Sequence, residues 1–156
     1  YDDPYRNVAA IFINLLLQGR PVTIYGDGSQ RRCFSSVSDV VAPLRQMATD
    51  PACAGEVINL GPDDEFVTVL ELATLIARLL GVELRCEFLP PRPREVPLAN
   101  CSASKARALL GYRPRLSLED SLRPMIDWIR ARGPRPFAHH ADLEIVSEAL
   151  PKPWSP

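Results

Sequence analysis

The chain predicts an α/β fold of α+β-like character, in which short strands alternate with helices around one core. Three observations carry this expectation. Apolar residues recur at helical spacing in residues 7–18 and again from Val69 to Leu80. Short apolar, partly β-branched runs stand at 22–25 and 57–60, and 83–88 reads as a further strand. Turn residues, Gly26-Asp27-Gly28 and Pro62-Asp63-Asp64, punctuate the spaces between them.

In chain order, residues 7–18 carry Val8, Ile11, Phe12, Leu15 and Leu16, and also Ile13 and Leu17, so this helix is expected to be buried on more than one side. Gly19-Arg20-Pro21 ends it. Residues 22–25 and 33–36 read as strands flanking the Gly-Asp-Gly turn. Ser38 is the expected cap of a helix through Ala48, and residues 57–60 read as a buried strand. Thr68-Val69-Leu70-Glu71 has the spacing of a capping box, followed by Leu72, Ala73, Ile76, Leu79 and Leu80 until Gly81 stops the run. A strand over 83–88 then feeds the proline-rich segment 89–97. Ser102 is the expected cap of a short helix to Leu110, with Gly111 beyond it. Leu118, Leu122, Met125, Ile126 and Ile129 mark a last helix up to Arg132. Its start is open between Ser117, which puts Pro124 in the interior with an expected kink, and Ser121, which puts Pro124 in the tolerated first turn. Residues 133–156 form a proline-rich tail whose one weakly apolar stretch is 143–146.

The 156 residues are long enough for one domain with a core, and the net charge of −1 gives no electrostatic case for nucleic acid or a membrane surface. No apolar run reaches the roughly 18 residues of a membrane span. Cys33, Cys53, Cys86 and Cys101 lack Cys-x-x-Cys spacing and His139-His140 are adjacent, so no metal site is expected. Four scattered cysteines without a signal peptide read as reduced thiols, hence a cytoplasmic location.

Two stretches carry chemistry: Thr23-Ile24-Tyr25-Gly26-Asp27-Gly28-Ser29-Gln30-Arg31-Arg32-Cys33-Phe34 and Arg92-Pro93-Arg94-Glu95-Val96. Each presents an arginine beside a stiffened loop. A guanidinium is a planar fork of donors matched to phosphate oxygens, so two from separate loops suit a diphosphate. For either arginine alone a surface ion pair is the commoner outcome. The prolines around Arg92 restrict its loop before a ligand arrives, which lowers the ordering cost of binding.

These residues resemble the extended short-chain dehydrogenases that act on nucleotide sugars, a family of 4-epimerases, decarboxylases and 4,6-dehydratases. The resemblance runs to about Arg132 and corresponds to the family's C-terminal, substrate-binding portion, lacking most of its Rossmann domain. Residues 1–132 are then the nucleotide-sugar-binding domain. The resemblance implies that Arg32 and Arg92 hold the diphosphate and that Glu95 accepts from the ribose hydroxyls. It sets Thr23 and Tyr25 against the base and Asn7 near the diphosphate. For Tyr25 an ordinary strand position, and for Asn7 a helix cap, remain open. Cys33 stands for the family's aspartate, Ser36 for an aromatic, Arg94 for a glycine and Ser102 for an aspartate. Arg94 gives up glycine's freedom at positive φ.

The family's cofactor is NAD, and its site is absent from this chain: no Gly-x-Gly-x-x-Gly spacing occurs, and Gly26-Asp27-Gly28 leads into Gln30-Arg31-Arg32 rather than a helix. The family's base is a tyrosine acidified by a lysine four residues on, since an unassisted phenol titrates near about 10. Neither Lys105 nor Lys152 stands four residues after a tyrosine, so no catalytic residue is assigned. The implied partners are a UDP-sugar or another nucleoside-diphosphate sugar, the missing Rossmann domain or a partner subunit, and a second copy in a homodimer of the intact enzyme. Residues 128–134, Trp-Ile-Arg-Ala-Arg-Gly-Pro, resemble bacterial members assigned as UDP-glucose 4-epimerases. A non-catalytic nucleotide-sugar-binding module and a truncated remnant are the alternatives.

Overall fold

The computed structural model describes residues 1–3 and 7–137. Helix α1 spans Val8–Leu17, with Asn7 as its N-cap accepting from the Ala10 amide. Its burial is as broad as its sequence predicts: Ala9, Ala10, Phe12, Ile13, Leu15 and Leu16 are all buried. Strand β1 (Val22–Tyr25) follows, then β2, a two-residue strand at Arg31–Arg32. The strand expected over 33–36 is therefore displaced to the two arginines, because only they find partners on both sides.

Helix α2 spans Val37–Thr49 with Ser36, not Ser38, in the N-cap position, and a single 3-10 turn, Pro51–Cys53, follows it. Residues 57–60, expected as a strand, pair with no strand among the described residues. Ile58 and Leu60 instead pack beside Ala103, Ala106 and Tyr112 in a small second cluster. Strand β3 (Val67–Thr68) runs directly into α3 (Val69–Leu80). Here the capping box forms in full: Thr68 Oγ1 accepts from the Glu71 amide and the Glu71 carboxylate accepts from the Thr68 amide. A cap of this kind is worth about 1 kcal/mol. Gly81 closes the helix in the left-handed region, φ 71°.

Strand β4 (Cys86–Leu89) is shorter and later than the 83–88 expected. It lies parallel to β1 with Val22 opposite Cys86, the long crossover between them containing α2 and α3. Strand β5 (Leu98–Ala99) pairs parallel with β2, which pairs antiparallel with β3 on its other side. Helix α4 spans Ser104–Leu110 with Ala103, not Ser102, in the N-cap position. Ser102 Oγ still accepts from the Ser104 amide, and the Asp63 carboxylate takes the Ala103 amide. Helix α5 (Leu118–Arg132) starts at Ser117, whose hydroxyl accepts from the Asp120 amide, so Pro124 lies inside the helix.

The core is built around α1, with one face each of β1, α3 and α5 packed on it, and Phe12, Ile13, Ile24, Leu72, Ile76 and Ile129 are almost wholly buried in it. One polar side chain lies among them. Asn14 is fully buried and grips the Arg135 backbone at two points, donating to its carbonyl at 2.8 Å and accepting from its amide at 2.9 Å. The first residues past α5 are thereby tied to α1, and Phe137 packs against the same core. The apolar stretch 143–146 lies outside the described residues.

Candidate diphosphate-binding site

Strand β1 sorts its residues by alternation. Val22 and Ile24 enter the core, while Thr23 and Tyr25 face the other way and are half-buried. The turn after β1 is tightly specified. Asp27 accepts from the Ser29 amide and hydroxyl, and Gln30, itself buried, donates from its side-chain amide to the Tyr25 carbonyl at 3.0 Å. Gln30 carried no role in the sequence reading; its place two residues before Arg32 was the available signal.

Gly28 is required for a packing reason. A Cβ there would meet Leu70 Cβ at 3.1 Å and Ile24 Cγ2 at 3.2 Å, and its φ is 79°. Its carbonyl and that of Gln30 accept from the Leu70 and Val69 amides, so the turn covers the start of α3. That start is satisfied by the chain itself and offers no cradle for a dinucleotide pyrophosphate. The residues of this turn do not fit the NAD that the resemblance implies.

The loop bearing Arg92 is anchored at both ends. The Gly26 amide donates to the Leu89 carbonyl at 2.9 Å and the Arg31 amide to the Pro97 carbonyl at 2.8 Å. Within it, the Glu95 amide donates to the Arg92 carbonyl at 3.3 Å, with Pro93 second and Arg94 third at φ 58°. Proline second and positive φ third is the pattern of a type II turn, whose third position favours glycine. Arg94 holds that conformation without being one.

This turn folds Glu95 back onto Arg92. The Arg92 guanidinium donates to both carboxylate oxygens, Nε to Oε2 at 3.1 Å and Nη2 to Oε1 at 2.5 Å. From strand β2, Arg32 Nη2 reaches the same Oε1 at 3.4 Å while its Nη1 donates to the Arg31 carbonyl. The Arg92 guanidinium also lies 4.9 Å from the Tyr25 ring centroid, a cation–π contact. Hydrogen bonding to Glu95 raises the Arg92 pKa further, against the effect of burial. Burial raises that of Tyr25, which the charge of Arg92 partly offsets.

Four of the six expected site residues thus meet: Arg32, Arg92, Glu95 and Tyr25. Thr23 shares a strand face with Tyr25, and Asn7 caps α1; among the described residues no hydrogen bond or ion pair joins either to the arginines. An open groove of about 590 Å³ lies elsewhere, between Pro62, Asp63 and Glu65 on one side and Arg113 to Ser117 on the other. Its charges are largely spent on each other and on the backbone. Arg107 donates to both Asp63 oxygens at 2.8 Å, and Glu65 accepts from the Leu118 amide.

Residues 2–125 match the family model described as GDP-mannose 4,6 dehydratase. A UDP-N-acetyl-alpha-D-glucosaminuronate decarboxylase from Bacillus cytotoxicus is 33% identical over 135 residues, which are 83% of this chain and 41% of that protein. The UDP-glucose 4-epimerase of Thermotoga maritima, solved with UDP-glucose, is 32% identical with a TM-score of 0.74, covering 84% of this chain and 42% of that one. The UDP-glucuronic acid 4-epimerase of Bacillus cereus, in complex with UDP-glucuronic acid and NAD, is 30% identical with a TM-score of 0.76, covering 81% and 40%. The chain spans about two fifths of the length of these relatives. The expected resemblance to nucleotide-sugar epimerases and dehydratases is borne out, and so is the α/β class. A match across most of its length makes this chain a member of the GDP-mannose 4,6 dehydratase family.

Proposed function

We propose that this chain is the substrate-binding portion of an NAD-dependent nucleotide-sugar epimerase or dehydratase, that Arg32 and Arg92 clamp the diphosphate of a UDP-sugar, and that UDP-glucose 4-epimerisation is the activity of the intact protein. The observation that carries the reading is the convergence of two guanidiniums, one from strand β2 and one from the loop between β4 and β5, on one anionic group. The names of the relatives support the substrate class: one was solved with UDP-glucose, another with UDP-glucuronic acid and NAD. Residues 1–132 form the binding domain, and Tyr25 with Thr23 face the base. The catalytic tyrosine and the dinucleotide site belong to a part outside this chain, either a preceding domain or a partner subunit.

Titration calorimetry with UDP tests the clamp. Arg32→Ala with Arg92→Ala is expected to weaken binding by 100-fold or more, on the order of two charge-assisted bonds. Unchanged heats in the double variant defeat it. A second reading is a non-catalytic nucleotide-sugar sensor, which the clamp alone would equally serve. Coding sequence upstream of Tyr1 separates the two, because an in-frame glycine-rich fingerprint and Tyr-x-x-x-Lys there establish the enzyme.

A further inference from the structure

Glu95 stands where a phosphate would. Its carboxylate spans the two guanidiniums, held by Arg92 through both oxygens and by Arg32 through one. Its side chain is the most enclosed of the three, 13% exposed against 25% for Arg32 and 39% for Arg92. Two half-buried guanidiniums facing one site repel each other, and without an anion between them they would splay. One carboxylate leaves that trio with a single net positive charge instead of two.

The three contacts are unequal. The Arg92 pair is local, set by a turn that closes three residues apart, and the Arg92 plane is also fixed against Tyr25. The Arg32 contact, at 3.4 Å, is the long one and joins residues 63 positions apart. A group that enters between Arg32 and Glu95 therefore breaks the weakest link first and leaves Arg92 oriented.

We propose that Glu95 is an internal anion that holds the diphosphate seat between Arg32 and Arg92, keeps both guanidiniums aimed at it, and is displaced when a diphosphate enters. The inference rests on the clamp reading above and adds its regulation. With Glu95 between the arginines only one net positive charge remains to attract an anion, so a weakly charged one competes poorly for the seat. A diphosphate, with more charge and more oxygens, replaces it and frees the carboxylate for other donors on the same ligand.

The test uses Glu95→Gln with inorganic pyrophosphate and UDP as probes, by calorimetry, beside the wild-type protein and the Arg32→Ala, Arg92→Ala double variant. Pyrophosphate carries no sugar, so it reports the seat alone. Glu95→Gln is expected to bind pyrophosphate about tenfold tighter, the order of removing one like charge from a partly screened site. UDP is expected to gain less, since the variant has no carboxylate to accept from its hydroxyls. A gain in affinity is a readout that a merely disturbed loop does not give. Glu95→Asp keeps the charge but not the reach and serves as the second variant, with intermediate affinity expected. Pyrophosphate binding that is unchanged or weaker in Glu95→Gln, while the double arginine variant still loses binding, overturns the displacement alone. Binding that is insensitive to the double variant overturns the clamp and the displacement together.

Discussion

Arg94 shows how a single residue can hold a site at a local cost. It occupies the third position of the turn that brings Arg92 and Glu95 together, at φ 58°. A side chain in the left-handed region costs about 1–2 kcal/mol, while glycine there adds about 0.5–1 kcal/mol of unfolded-state entropy. Arg94→Gly is therefore expected to raise stability by about 0.5–1 kcal/mol, read from the urea midpoint at constant slope. A fall in the midpoint instead means that the exposed guanidinium contributes more than its backbone costs. The arginine itself was legible as a departure, and its strained backbone followed from the turn that Pro93 begins. Asn14 was not legible in this way. Nothing local marks a polar residue in an apolar helix as the holder of a backbone 121 residues on.

Elements whose reasons are local matched their sequence signals. The capping box of α3 and the glycine ends of α3 and α4 depend on residues within a turn, and each formed where it was expected. Strands did worse, because a strand exists only where a neighbour pairs with it. Residues 57–60 have strand composition and no partner among the described residues, while Arg31–Arg32 have little strand character and two partners. Helix α4 is docked by a carboxylate rather than by its own serine. Arg107 and the Ala103 amide hold the Asp63 pKa at about 2, against an ordinary 3.8. A depressed carboxylate contributes stability above its unfolded pKa and loses it as pH falls through the folded one. The difference in stability between the wild type and Asp63→Asn should be full at neutral pH, shrink below about pH 4 and be largely gone near pH 2. A difference that persists unchanged at pH 2 would show that the pairing with Arg107 is not its source.

At the scale of the molecule, one apolar face is exposed among the described residues. Val37, Val41 and Leu44 recur along one face of α2 and are 73%, 57% and 51% exposed, with Val57 80% exposed in the strand-like segment after it. The 156-residue chain produced alone is expected to be marginal, to aggregate or to self-associate, as measured by sedimentation and thermal unfolding. A sharp two-state melt of a monomer counts against this.

The parallel pairing of β1 with β4 sets the order in which the molecule comes together. Val22 and Cys86 must meet, and Arg32 must find Glu95 63 residues on, before either contact returns any free energy. Loop closure of that length is an entropic cost met early and repaid late. The arginine pair joins part-exposed side chains through a 3.4 Å contact, so it is expected among the last parts to assemble, and Arg32→Ala should hasten unfolding and leave the refolding rate nearly untouched. Slowed refolding would instead place these arginines in the folding nucleus. A site that closes last also opens first: its 3.4 Å link joins part-exposed side chains, so it comes apart while the helical core around Ile13 and Ile76, both fully buried, stays folded.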